Sequence, residues 1–301
     1  MTFDNARFDP EVVRDLGRID LIARVIAQGV YQGMHRSHRR GFSTEFSDFK
    51  PYTPGDDLRF LDWKQYARTD KLYIKCFEAE TNQESLLLLD ASRSMAWRWE
   101  DRISKLEYAA NLLAAMACLH LDQQDPVGVL IHDADREHAL QPSARRIQLD
   151  AMCALLSELE PGSGDLFPQL IEELAALKRR RGLIVICSDL EEDDVSTEAA
   201  LRHLADRDDE MILIHILDKT EIDPPFTGVS FLEDSETGAV VPVNHRTMRR
   251  DHTKNVRRFR DHWTTVCETS GIQYVPVDTA MNYVDVLHGL LHEREMRLCR
   301  A

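Results

Sequence analysis

Residues 84–95, ESLLLLDASRSM, decide the fold of this chain. Residues 86–89 form an uninterrupted apolar run that stops at the carboxylate Asp90, and hydroxyls follow at every second position, Ser92 and Ser94. An apolar run bounded in this way reads as a strand buried on both faces, as in the middle of a parallel sheet. The carboxyl end of such a strand opens into the crevice where open α/β sheets bind their ligands. Asp90, Ser92 and Ser94 therefore offer three oxygens at a candidate site for a hard divalent cation.

Downstream, helical and strand periods alternate. Helices are expected over residues 104–122, opened by a Ser104/Glu107 capping box, and over 145–160, from 167 onward, 196–207, 249–269 and 283–298. Strands are expected over 128–132, with a short partner at 137–140, and over 183–187, 211–217 and 274–277, with a hairpin at 229–232 and 240–243. Strands separated by helices of this length imply βαβ units and a mostly parallel sheet with helices on both faces.

Upstream, apolar residues recur at helical spacing over 10–34 and predict one long amphipathic helix ending in the basic run His35-Arg-Ser-His-Arg-Arg40, read as a solvated helix end. Residues 42–84 differ in kind, being dense in aromatics and turn residues. Residues 72–77 alternate like a strand, 45–47 read as part of another, and Pro54-Gly-Asp-Asp57 is a turn by composition. Arg59, Asp62, Trp63 and Arg68 follow it, and Arg59, Asp62 and Trp63 are expected to lock this block in place.

Bulk properties exclude several classes. The chain has 301 residues, 43% of them hydrophobic, enough for a sizeable core in one or two domains. Its 37 basic and 52 acidic residues give a formal charge of −15, which argues against a nucleic-acid partner. No stretch has the pattern of a signal peptide, and no apolar run approaches the roughly 20 residues that span a bilayer, so a cytoplasmic protein without membrane insertion is expected. Cys76, Cys118, Cys153, Cys187, Cys267 and Cys299 contain no CxxC pair and read as reduced core residues.

Three segments should meet at one sheet edge: Asp90 with Ser92 and Ser94, the Gly162-Ser-Gly-Asp165 loop, and Ser188-Asp189. Two carboxylates and two or three hydroxyls suit Mg²⁺ (or Mn²⁺) and leave a coordination position open. Hydroxyls donate lone pairs without cancelling the ion's charge, so such a site favours an incoming Asp or Glu. No nucleophile or general base is evident beside it.

Asp90-Ala-Ser-Arg-Ser94 resembles the DxSxS motif of von Willebrand factor A domains, whose metal-ion-dependent adhesion site lies at the carboxyl edge of the sheet. By that resemblance Asp189 corresponds to the aspartate of the site's third loop. Gly-Ser-Gly-Asp stands where Gly-Gly-Thr-Asp would be expected, so Ser163 or Asp165 would have to reach the metal, directly or through water. The upstream block narrows the family. Ser43-Thr-Glu-Phe46, Asp48, Pro51-Tyr52, Pro54-Gly-Asp-Asp57, Arg59, Asp62-Trp63, Ala67-Arg68, Leu72-Tyr-Ile74 and Phe77-Glu78 together resemble the bacterial "domain of unknown function 58" family. That resemblance implies a partnership with a MoxR-type AAA+ ATPase and an adaptor role toward a protein client.

The expected architecture is thus α/β, a doubly wound, mostly parallel sheet of the von Willebrand factor A type over residues 83–301, preceded by a helix and a small β-containing extension over 1–82. The expected function is a non-enzymatic, metal-dependent binding module, with Asp90, Ser92, Ser94, Asp189, Ser163 and Asp165 as candidate ligands. A metal-assisted phosphoryl or ester hydrolase in the same crevice is the alternative. Two further enzyme readings are weaker. His288 and His292 lack the glutamate of a zinc protease, since Gly289 stands in its place. A haloacid-type phosphatase would need an acid where Ser92 stands. Asp165 is also placed to cap a helix, and the acidic run 191–194 to lead into one.

Overall fold

A computed structural model describes residues 5–38, 49–51, 66, 68, 72–75, 83–133, 136–162, 167–177, 181–190, 195–207, 209–225, 228–233 and 240–298. The chain divides into two units, Met1–Val30 with Asn82–Ala301, and Tyr31–Thr81. In the smaller unit β1 (Phe49–Pro51) pairs antiparallel with β2 (Tyr73–Lys75). β2 falls within the strand expected over 72–77. The strand expected at 45–47, the turn at Pro54-Gly55 and the residues Arg59, Asp62 and Trp63 lie outside the described residues.

The larger unit is built on β3 (Glu84–Asp90), β4 (Val127–His132), β5 (Glu137–Ser143), β6 (Gly182–Ser188), β7 (Glu210–Leu217) and β10 (Gln273–Asp278). They form one six-stranded sheet in the order β10-β7-β6-β3-β4-β5. Every pairing is parallel except β4 with β5. The continuous apolar runs occupy the middle: Leu87, Leu88 and Leu89 of β3 and Ile184, Val185, Ile186 and Cys187 of β6 are fully buried. β5 alternates in exposure and closes one edge, as its mixed sequence requires. Gly182 starts β6 because a Cβ there would lie 2.0 Å from the Glu84 carbonyl oxygen of β3. Only glycine permits that approach.

Helices cover both faces. Leu86 and Leu88 pack with α5 (Phe167–Leu177), α6 (Val195–Ala205) and the Trp263 end of α8 (His245–Thr269) in one apolar cluster. Leu87 and Leu89 point the other way, toward α3 (Lys105–Asp122), which is buried on all sides. α3 is joined in turn to α9 (Tyr283–Leu298), where the Tyr108 and Tyr283 rings stack at 4.5 Å and Asn111 Nδ2 donates to the Tyr283 hydroxyl at 3.2 Å. α4 (Ile147–Ser157) packs against α3, and β8 (Val229–Glu233) with β9 (Val240–Asn244) forms the expected hairpin as a separate ribbon.

One expectation is corrected. The helix read over 10–34 is two helices, α1 (Pro10–Arg14) and α2 (Ile19–His38). The chain turns between them at Gly17, whose φ of 64° is left-handed backbone that glycine adopts without strain. The apolar spacing runs through the turn and hides it. Among the described residues no helix is long and apolar enough to cross a membrane.

Candidate metal centre

The parallel register of β3 and β6 sets Leu89 beside Cys187, so the two strands deliver Asp90 and Ser188 to the same edge one residue later. Asp90, Ser92, Ser188 and Asp189 are all buried there. After Asp90 the chain folds back on itself, the Ser92 N–H donating to Asp90 Oδ1 at 2.9 Å. That turn points two hydroxyls the same way, with Ser92 Oγ 2.9 Å from Ser94 Oγ. Ser94 Oγ donates to Asp189 Oδ1 at 3.1 Å, and Ser188 Oγ donates to Asp90 Oδ2 at 2.6 Å. Leu190, directly after Asp189, has a left-handed φ of 53° and donates its N–H to Ser188 Oγ at 2.9 Å. A non-glycine residue in that region marks a backbone held by its surroundings.

The third expected segment also reaches this edge. The Gly162 N–H donates to the Ala91 carbonyl at 2.7 Å, and Ser92 and Gly162 form a parallel bridge. Ser163 and Asp165 lie outside the described residues.

Lys105 completes the cluster. It stands in the first turn of α3, behind a capping box in which Ser104 Oγ accepts from the Glu107 N–H at 3.1 Å and Glu107 accepts from the Ser104 N–H at 2.9 Å. Its ammonium is 2.6 Å from Asp189 Oδ2 and 2.7 Å from Oε1 of Glu221. Glu221 closes α7 (Lys219–Ile222), where its Oε2 accepts from the Asp218 N–H at 2.6 Å.

The electrostatics follow from burial and from like charges held close. Burial, then the charge of Asp189, pushes the Asp90 carboxyl up to about 7, against the hydrogen bonds from Ser188 and Ser92. Burial works against the Lys105 ammonium, but Asp189 and Glu221 outweigh it and hold its pKa above the ordinary lysine value. Glu221 is raised by burial, with Lys105 opposing.

This donor set fits a hard divalent cation. Asp189 and Glu221 share the Lys105 ammonium and Asp90 lies close enough to Asp189 to feel its charge, so these four groups, fully ionised, carry two uncompensated negative charges. Among the described residues no group of three or more His, Cys, Asp or Glu side chains is arranged to hold a metal. Within the described residues, an ion at this edge would draw on Asp90 and Asp189 together with the Ser92 and Ser94 hydroxyls, an oxygen set that suits Mg²⁺ or Mn²⁺ over a softer ion.

Lys105, Glu221 and the Ser188 hydroxyl escaped the sequence reading as members of the cluster. Lys105 looks like a first-turn surface residue, and the four-residue α7 is too short for periodicity to show. Two local signals were available, the capping spacing of Asp218 with Glu221 and the lysine directly after a strong cap.

The family model described as "Protein of unknown function DUF58" matches residues 48–262. The chain belongs to the DUF58 family. "Uncharacterized protein Rv1480" of Mycobacterium tuberculosis (strain ATCC 25618 / H37Rv) is 27% identical over 235 residues, covering 77% of this chain and 73% of that protein. "Uncharacterized protein Mb1516" of Mycobacterium bovis matches to the same extent, 27% over 235 residues. Among solved structures, BatB from Bacteroides thetaiotaomicron is similar with a TM-score of 0.44 at 15% identity, over 70% of this chain and 98% of that one. The SpRpn10 VWA domain gives a TM-score of 0.42 at 13% identity, over 68% of this chain and 93% of that one. The open α/β sheet of this DUF58 chain stands on its own strand order and pairing.

Proposed function

We propose that this chain is a protein-binding module of the von Willebrand factor A type, dependent on Mg²⁺ or Mn²⁺ at the Asp90 edge, and that it works as an adaptor with a MoxR-type AAA+ ATPase. The observation that carries the reading is the hydroxyl chain from Ser92 through Ser94 to Asp189, set beside Asp90 at the carboxyl edge of the sheet. Bound there, the ion would supply an open position for a carboxylate oxygen of a protein client. Asp90 and Asp189 would hold it, with Ser92 and Ser94 as neutral donors, and Ser163 or Asp165 from the adjoining loop. Nearby, Arg93, Trp97 and Arg98 are exposed, followed by exposed Glu100, Asp101 and Arg102, a mixed-charge surface with one aromatic side chain beside the edge. The ATPase partner comes from the family resemblance alone.

One observation favours the hydrolase alternative. A carboxyl held near 7, as Asp90 is, has the pKa of a general base at neutral pH. Both of its oxygens, however, already accept hydrogen bonds, from the Ser92 N–H and from Ser188 Oγ. These bonds bear equally on ion binding and on proton transfer, so metal-dependent turnover of a phosphate ester is what separates the two readings.

The test is titration of the purified chain with Mn²⁺ and Mg²⁺, followed by capture of the AAA+ ATPase with and without a chelator. Saturable binding lost in Asp90→Ala, and capture lost with the chelator, support the reading. An Asp90→Ala chain that binds ion and ATPase as well as the parent sinks it. Metal-dependent turnover of a generic phosphate ester would instead favour the hydrolase.

A further inference from the structure

We infer that Lys105 is a built-in competing charge that sets how tightly the Asp90–Asp189 centre holds a divalent cation. The inference rests on the metal reading above and adds a residue whose effect on the ion has a predictable sign. Lys105 is 2% exposed, carried on a different element from every candidate ligand, and fixed by a capped helix turn. Its ammonium meets the Asp189 oxygen opposite the one that accepts from Ser94, 2.6 Å against 3.1 Å. An ion at this edge would therefore share Asp189 with a cation that cannot leave, because Lys105 is also held by Glu221 at 2.7 Å.

The charge count gives the rule. Asp90, Asp189 and Glu221 against Lys105 make two net negative charges when all are ionised. Removing Lys105 makes three, removing Glu221 makes one, and removing both restores two. In a buried pocket each such change acts on a doubly charged ion at short range with little screening. Divalent affinity should follow this count. A purely structural ion pair predicts no such order, because all three variants would only loosen the fold.

The experiment is calorimetric titration of the full chain with Mn²⁺ and then Mg²⁺, with thermal shift as a second readout. Lys105→Met is expected to bind about tenfold or more tightly than the parent, Glu221→Gln correspondingly more weakly, and the double variant close to the parent. Lys105→Arg keeps the charge and should bind as the parent does. If Lys105→Met is too unstable to titrate, Glu221→Gln and the double variant still carry the order, since the double variant leaves no unpaired buried carboxylate at residue 221. Affinities indifferent to these substitutions, or a weaker Lys105→Met, overturn the role of Lys105 and leave the metal reading standing. Absence of binding in the folded parent and in every variant overturns the metal reading and this one together.

Discussion

Ser94 Oγ donates to Asp189 Oδ1 at 3.1 Å across 95 residues of sequence, tying the loop after β3 to the loop after β6. The two ends of this bond are unequal in what they hold. Ser94 makes one hydrogen bond to the aspartate, whereas Asp189 also neutralises a buried ammonium. Without divalent cation, Ser94→Ala should cost about 1 kcal/mol and Asp189→Ala roughly 3–5 kcal/mol, because the second leaves Lys105 buried with only Glu221. Urea unfolding of the two variants checks this, and equal losses would show that the Lys105 network is not what Asp189 supports.

Asp90 makes stability depend on pH in an unusual direction. Its carboxyl titrates near 3.8 in the unfolded chain and near 7 in the folded one. Between those values the folded state holds a proton that the unfolded state has lost, so the contribution of Asp90 to stability falls as pH rises from about 4 and is fully unfavourable above about 7. In chelator, Asp90→Asn should be more stable than the parent at pH 8, by the order of a few kcal/mol, and the difference should close toward pH 4. Adding Mg²⁺ should stabilise the parent at pH 8 and leave Asp90→Asn unchanged. A parent and variant with parallel pH profiles would contradict the burial argument.

Ser104 positions the turn that carries Lys105. Ser104→Ala removes the acceptor for the Glu107 N–H and should lower stability by about 1 kcal/mol. Ser104→Asp, which caps equally well, should restore it. The comparison is made by thermal or denaturant unfolding, and a Ser104→Asp chain no better than Ser104→Ala would show that something besides capping is at work.

At Gly182 a side chain has nowhere to go. The added Cβ would collide with the β3 backbone at Glu84, which cannot move without breaking the strand pair. Gly182→Ala should destabilise by about 1–3 kcal/mol or more, seen as a lower denaturation midpoint. An unchanged midpoint would mean that the start of β6 can shift away from β3 at no cost.

Most of the main sheet could be read from the chain because its central strands are apolar without interruption and its helices are periodic and capped. Residues 86–89 and 183–187 could hardly be anything but buried strands, and the Ser104/Glu107 box marked the start of α3 correctly. The turn at Gly17 was hidden because apolar spacing continues through it and a single glycine does not stop a helix by rule. The gathering of Asp90, Ser92, Ser94 and Asp189 at one edge followed from strand order, since the carboxyl ends of parallel strands must share an edge. Lys105 and Glu221 were missed for the opposite reason. A charged residue is read as solvated until its partner is known, and theirs lie on other elements.

The ion pairs of Lys105 close loops of 84 and 116 residues, to Asp189 and to Glu221. The first needs α3 and the end of β6 in place and the second needs α3 and α7, and parallel sheets with contacts this remote assemble slowly. The cluster is therefore expected to form late in folding. Replacing Lys105 should speed unfolding with little effect on refolding, which stopped-flow measurements of both arms can show. On the proposed function, a half-made chain would have the sequence of the binding edge without the edge itself, and only molecules that have finished folding would compete for a partner.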